Sequence, residues 1–387
     1  MKKTPLFKQS PMIVVIATLL IIASFSLYSC KQDAIFYHIE SGIKLKEATV
    51  KGTPTRIVEF NHTLYVGSDA IYEYDGAAHR WNSTGNPLEG KKVLGLAATT
   101  TRLYALIDAG TDLSSVALYR KSVGAGWELI HTGALNAMYG AGDILFTGYG
   151  NTVSYIDDTQ TALSSSSALS GKGNLLGAVK FGGDYFISTQ SGVFYASAGD
   201  IGAGTVFQIE ETTTDAANPT TPLAGNFTGL IVIPDPAGDY LVMIASNGTL
   251  CKITGASPYS PVDTPNKWAK AFGFNGAVAL WEGKVGGADV RYLLLGRSDY
   301  YGYLELGLDF AVDTPLTPGI TIGNVDQYNS SLATHPVTSI HQAIDDETEN
   351  GTTYRPIFAV TSLDGLWSCR YQLYENKDSW LMIWNQE

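Results

Sequence analysis

The chain has 387 residues, 16% of them charged, with 25 Lys and Arg against 37 Asp and Glu and a formal net charge of −12. A surface that acidic repels phosphate backbones and sets nucleic acid aside as a partner. Sparse charge combined with 22 Tyr, 41 Gly and abundant Val and Thr is a β-rich composition, in a chain long enough for an extensive core.

The N-terminus reads as a processed segment rather than as fold. Lys2, Lys3 and Lys8 form a basic leader ahead of "MIVVIATLLIIASFSLYS", Met12 to Ser29. Its uninterrupted apolar part is short beside the ~20 residues that a membrane span requires. The run closes on "LYSC", with Leu27 three residues before Cys30 and the small Ser29 directly before it. This resembles a bacterial lipobox, in which the signal is cut before the Cys and the thiol takes up lipid. Tyr28 is bulkier than the usual residue there, so the resemblance is to the relaxed lipoboxes of spirochaetes and some other phyla. It implies a signal peptide over residues 1–29, a lipidated tether over 30–41 that starts at an acylated (palmitate-bearing) Cys30, and a folded domain over 42–387. It also implies a bacterial cell-envelope address, on the periplasmic face of the outer membrane or at the surface, since Lys31 stands where an Asp favours inner-membrane retention. The competing reading is an uncleaved signal anchor with an incidental Cys. Cleavage removes three Lys, leaving 22 bases against 37 acids and a net charge of −15. A body so acidic is expected to stay off anionic headgroups, with the acyl chains as the membrane contact.

Beyond the tether, strand pairs recur. They are "TLYVGSDAIYEYDG" from Thr63, "RLYALIDAGTDLSSVALYRK" from Arg102, "DILFTGYGNTVSYID" from Asp143, "DYFISTQSGVFYAS" from Asp184, "DYLVMIASNGTLCKI" from Asp239, "RYLLLGRSDYYGYLEL" from Arg291 and "RPIFAVTSLDGLWSCR" from Arg355. Landmarks at Leu64, Leu103, Leu145, Tyr185, Tyr240, Tyr292 and Ile357 lie 39, 42, 40, 55, 52 and 65 residues apart. Most of these intervals are close to the ~40 to 50 residues of a propeller blade. An apolar strand precedes each pair, from "TRIVEFN" to "SIHQAID". Behind most pairs comes a strand at an aromatic: Trp81, Trp127, Phe207, Trp268, Phe310 or Trp380. The expectation is an all-β, seven-bladed β-propeller of four-stranded antiparallel blades. One such sheet buries neither face alone, whereas a ring of them buries both and leaves no open end. "STQSG", "ASNG" and "TSLDG" then fall at the turns between second and third strands, where Gly supplies positive φ. The blades resemble regulator-type and related bacterial propellers, and carry no WD40, kelch or sialidase signature. "GIKLKEATV", Gly42 to Val50, is expected to close the ring by adding an outer strand to the last blade beside "SWLMIWNQ".

No motif identifies a reaction. The six His show no HxH, HExxH or HxxxH spacing and there is no CxxC, so no metal ligands are assigned. "IDDETENG" groups Asp345, Asp346, Glu347 and Glu349 without the spacing of a calcium loop and reads as a solvated acidic loop. GxSxG, GxGxxG and P-loop patterns are missing, which leaves no catalytic residue and no cofactor. Cys251 and Cys369, on different blades, are expected to be buried thiols rather than a disulfide.

The candidate binding surface is the face with the second-to-third strand turns: Asp69, Gln190, Asn247, Asp299, Tyr300, Tyr301 and Asp364. Adjacent Tyr at the tip of "RSDYYGY" make it an amphipathic contact for protein or sugar. The sequence therefore supports a membrane-anchored, monomeric, non-enzymatic propeller that binds an envelope protein, with a carbohydrate-binding or glycan-processing central funnel as the alternative. Cys30→Ala is expected to leave folding intact and release the protein from the membrane fraction. Unchanged localisation of that variant counts against the lipid tether.

Overall fold

The computed structural model describes residues 49–110, 115–212, 220–223, 225–255, 257–259, 273–285, 288–298, 302–308, 332, 336–349, 352–362, 365–372 and 381–387. Seven antiparallel sheets follow one another along the chain, each running from an inner strand outward. The inner strands are Ile57–Phe60, Val93–Ala98, Ala137–Ala141, Leu175–Phe181, Phe227–Ile233, Phe274–Val285 and Val337–Gln342. Each contacts the next in chain order, and the last contacts the first. This is the seven-bladed propeller. Blades 1, 2, 3, 4 and 7 have four strands; blades 5 and 6 have three among the described residues, with Trp268 and Phe310 of their expected outer strands outside them.

The core is cut into slices. Seven hydrophobic clusters each combine residues of two adjacent blades, so every interface between neighbours is one cluster. Strand alternation explains why: both faces of a blade are covered, so Ile71 and Tyr72, which point to opposite faces, are both buried. Cys251 and Cys369 lie as buried thiols in two separate clusters.

Five inner strands break register at the same place, between Val93 and Gly95, Leu175 and Gly177, Phe227 and Gly229, Phe274 and Val278, and Val337 and Ser339. A bulge there sharpens the local twist and turns one side chain toward the axis. Near the axis blades also approach too closely for side chains. A Cβ on Gly140 would lie 1.7 Å from the carbonyl oxygen of Ala98 on the neighbouring blade. The expected hairpin glycines do have positive φ, at +132° for Gly192, +84° for Gly248 and +87° for Gly365.

All four described strands of blade 7 come from residues 337–386, and Leu381–Gln386 pairs with Gly365–Gln372 as the outermost of them. The strand expected beside it from Gly42 to Val50 falls on residues of which Gly42 to Ala48 lie outside the described ones. What joins blade 7 to blade 1 is apolar packing. Phe358 meets Trp81 edge-on at 5.1 Å and Tyr74 at 4.6 Å between ring centroids. Around them lie Ile57, Leu64, Val66, Val360 and Leu366. The Ile57 amide donates to Ser339 Oγ at 3.0 Å, where a Gly stands in the inner strands of blades 2, 4 and 5. Phe358→Ala is expected to cost ~3–5 kcal/mol, read as a fall in denaturation midpoint. Val123→Ala, at an exposed turn, serves as control. Equal midpoints would mean that this junction contributes little to the ring.

Candidate functional site

The larger of two described cavities, about 450 Å³, lies at the blade 7 to blade 1 junction. It opens on the lower face, the one with the first-to-second and third-to-fourth strand turns. Blade 7 alone has a hairpin inserted between its first two strands, Glu347–Glu349 with Thr352–Tyr354. That insertion brings Glu347 across the seam. Its side chain is 4% exposed, with Oε2 2.5 Å from His79 Nδ1 and Oε1 accepting the Tyr74 hydroxyl at 2.6 Å. Asp75 shapes the turn that presents His79, accepting the amides of Ala77 and Ala78 at 3.1 and 3.0 Å. His79 itself has φ +51°. Leu64, Ala77, Ala343 and Ile344 give the cleft an apolar wall, and Asp345 and Asp346 line its rim. Asp346 is paired with Arg355 at 2.9 Å, and Asp345 is exposed. An apolar wall under an acidic rim fits the aliphatic stem and charged head of a Lys or Arg side chain.

The axial channel is smaller, about 140 Å³, and is walled by Ile57, Ala178, Leu230, Val278, Ile340 and their neighbours on the inner strands. The Arg56 guanidinium lies 4.6 Å from the centroid of the Tyr139 ring, drawing blades 1 and 3 together at the channel. No described carboxylate lines this space, so the paired acids of glycosidic chemistry are not found there. His341 does line it. Nδ1 donates to the Gln342 carbonyl at 2.6 Å, and removal from bulk water holds the imidazole pKa below its usual value, outweighing that carbonyl and Glu59.

Asp69, Gln190 and Asn247 stand at the second-to-third strand turns of blades 1, 4 and 5. Asp69 accepts the Tyr72 hydroxyl at 2.7 Å, within its own blade. Gln190 Oε1 accepts the Asn174 amide at 3.1 Å, and Asn247 Oδ1 the Thr249 amide at 3.0 Å, so both shape local connections. Cys30, Asp299, Tyr300, Tyr301 and Asp364 lie outside the described residues.

Charge is not spread evenly. On the upper face, with the second-to-third strand turns, blades 1 to 4 present Lys51, Arg56, Lys91, Lys92 and Lys172 against Asp69, Glu89 and Asp108. The lower face collects acids, among them Asp143, Asp157, Asp158, Asp184, Asp235 and Asp345, interspersed with Arg80, Arg102, Lys121, Lys180, Lys252, Arg291 and Arg355.

The sequence profile of the TP013X lipoprotein family matches residues 1–312. The chain belongs to the TP013X lipoprotein family. No curated protein matches it in sequence. Among solved structures it is similar to the extracellular domain of a B. thetaiotaomicron protein described as a hybrid two-component system, at 13% identity and TM-score 0.47, over 84% of this chain and 40% of that one. A second structure, described as the extracellular domain of a one-component system of the same organism, gives 13% identity and TM-score 0.48, over 83% and 38%. The computationally designed Ika8 protein gives 13% identity and TM-score 0.46, over 88% and 90%. The chain spans about 40% of the length of the first of these.

Membership of a lipoprotein family brings a lipid anchor and a place in the cell envelope. No helix among the described residues is long and apolar enough to cross a membrane. No group of three or more His, Cys, Asp or Glu among them is placed to hold a metal ion.

Sequence reasoning read Glu347 as part of a solvated acidic loop, whereas it is buried, and missed its partner His79, 268 residues away and in reach only because the ring closes. The one hint was the 65-residue interval before Ile357, the longest of the six, which leaves room for an insertion. His341 makes a pH prediction for this lipoprotein. Its folded pKa lies below the unfolded value of 6.5, so the unfolded chain takes up the proton first and stability is lost as pH falls through that value. His341→Gln is expected to flatten the loss of thermal midpoint between about pH 7.5 and about pH 5. Parallel curves for the two proteins would exclude His341 as the source.

Proposed function

We propose that this member of the TP013X lipoprotein family is a non-enzymatic binding or scaffolding propeller. Lipid on Cys30 holds it in the cell envelope, and a protein partner with a basic side chain docks on the lower face at the seam cleft. The observation that carries this reading is the cleft itself. A buried carboxylate at the junction, fixed by Tyr74 and His79, holds an inserted hairpin in place and sets the exposed Asp345 beside an apolar wall. Nothing in that arrangement activates a nucleophile or a water, whereas the shape and charge suit a Lys or Arg contact. The rigid disc keeps the cleft preformed, which lowers the ordering cost of association.

In-cell crosslinking followed by capture from solubilised envelopes tests it with two matched variants. Asp345→Arg inverts an exposed rim charge and is expected to reduce capture of the partner roughly tenfold. Tyr300→Ala/Tyr301→Ala, on the turn face first suspected from the sequence, is expected to leave capture unchanged. The reverse pattern moves the partner to the other face.

A further inference from the structure

We propose that the upper face of the propeller rests on the anionic surface of the membrane to which the chain is anchored, leaving the seam cleft turned away from it. The lipid on Cys30 is part of the functional reading above, and this orientation rests on it.

Three observations converge. The first is where the chain joins the propeller. Val50 is buried beside the second-to-third strand turn of blade 1, the Ser68 hydroxyl donates to the Lys51 carbonyl, and the Lys51 amide donates to the Tyr72 hydroxyl at 3.3 Å. Whatever precedes Thr49 is therefore attached at the upper face. Residues 31–48 are 18 in number, a reach of at most ~60 Å. The lipid thus confines the body to a thin layer above the bilayer, where weak attraction is enough to choose an orientation.

The second is charge. Lys51, Lys91 and Lys92 are exposed near the point of attachment, with Arg56 beside the channel mouth and Lys172 two blades further on. Arg56, Lys91, Lys92 and Lys172 enter no ion pair among the described residues. The ion pairs of Lys180 with Asp143, Arg291 with Glu282, Arg355 with Asp346 and His79 with Glu347 lie toward the lower face, where Arg80, Lys121 and Lys252 also stand. Arg56, Lys91, Lys92 and Lys172 are thus bases outside ion pairs on the side of the anchor, in a body of net −15 after cleavage. Anionic lipid attracts those bases and repels the acids opposite, so both faces favour the same orientation.

The third is apolar exposure. Leu94, the bulged residue of blade 2, is 37% exposed and Tyr149, at the turn of blade 3, is 47% exposed, both on this face. Tyr at such a position has its ring at headgroup depth and its hydroxyl in water. A basic patch adds electrostatic attraction to anionic lipid beside the hold of a lipid anchor.

The test uses the full lipidated chain in phosphatidylcholine vesicles, with or without phosphatidylglycerol, and measures acylation of individual lysines by mass spectrometry. In anionic vesicles Lys91, Lys92 and Lys172 are expected to react about fivefold more slowly relative to Lys180 than in neutral ones. Salt at about 0.5 M should restore their reactivity. Lys91→Gln/Lys92→Gln, at exposed side chains and with the thermal midpoint as the folding check, should weaken protection of Lys172. Equal reactivity of the two faces on floated anionic vesicles overturns the orientation alone, as does protection of Lys180 instead. Equal protection in neutral and anionic vesicles overturns the role of charge in it. A chain that fails to float with either vesicle overturns the anchor and the orientation together.

Discussion

The fold depends on one junction. Six interfaces between blades join neighbours in sequence, and chain connectivity alone brings their partners close. The seventh joins residues near 60 to residues near 360, and the loop-closure entropy of nearly the whole domain opposes it. It is therefore the interface where apolar packing has most to overcome. The aromatic trio of Tyr74, Trp81 and Phe358 supplies that packing, and the Ile57 to Ser339 hydrogen bond adds a polar stitch at the axis. Ser339 is well suited to the place: its hydroxyl satisfies an amide on the next blade that a Gly would leave to water or to nothing.

The same junction makes the cleft. Because the first-to-second strand connection of blade 7 is expanded into a hairpin, the seam carries extra chain on the lower face, and Glu347 secures it to blade 1. Burial of that carboxylate is tolerable because both oxygens have hydrogen-bonding partners at close range. A cleft at a seam is also the natural place for variation, since an insertion there does not disturb the register of any strand.

Function then follows from polarity across the disc. The inner strands leave the axis narrow and of mixed lining, with Arg56 lying against Tyr139, so the two faces offer the larger surfaces for contact. The described chain enters at one face, near Lys51, Lys91 and Lys92, and the other holds the larger cleft with Asp345 on its rim. In the proposed reading, faces of unlike composition separate holding the membrane from holding a partner, without a moving part.

The seven-fold architecture was legible in the sequence, because strand periodicity and hairpin glycines are local properties: Gly192, Gly248 and Gly365 have the positive φ that the "STQSG", "ASNG" and "TSLDG" turns require. The burial of Cys251 and Cys369 on separate blades was legible for the same reason, as was the kind of protein, through the residues around Cys30 and the family match. The apolar seam that joins blade 7 to blade 1 was not, since strand composition does not say which distant side chains meet when the ring closes. Asp69, Gln190 and Asn247 stand at the turns expected of them, each in a local hydrogen bond, which is why turn residues by themselves do not single out a contact surface. Composition fixed the net charge; only the ring, by bringing distant turns to one side or the other, decided that Lys91 and Lys92 would face one way and Asp345 the other. His79 and Glu347 share no local pattern, and the contact between them exists because seven sheets that cannot bury their faces alone bury them in a circle.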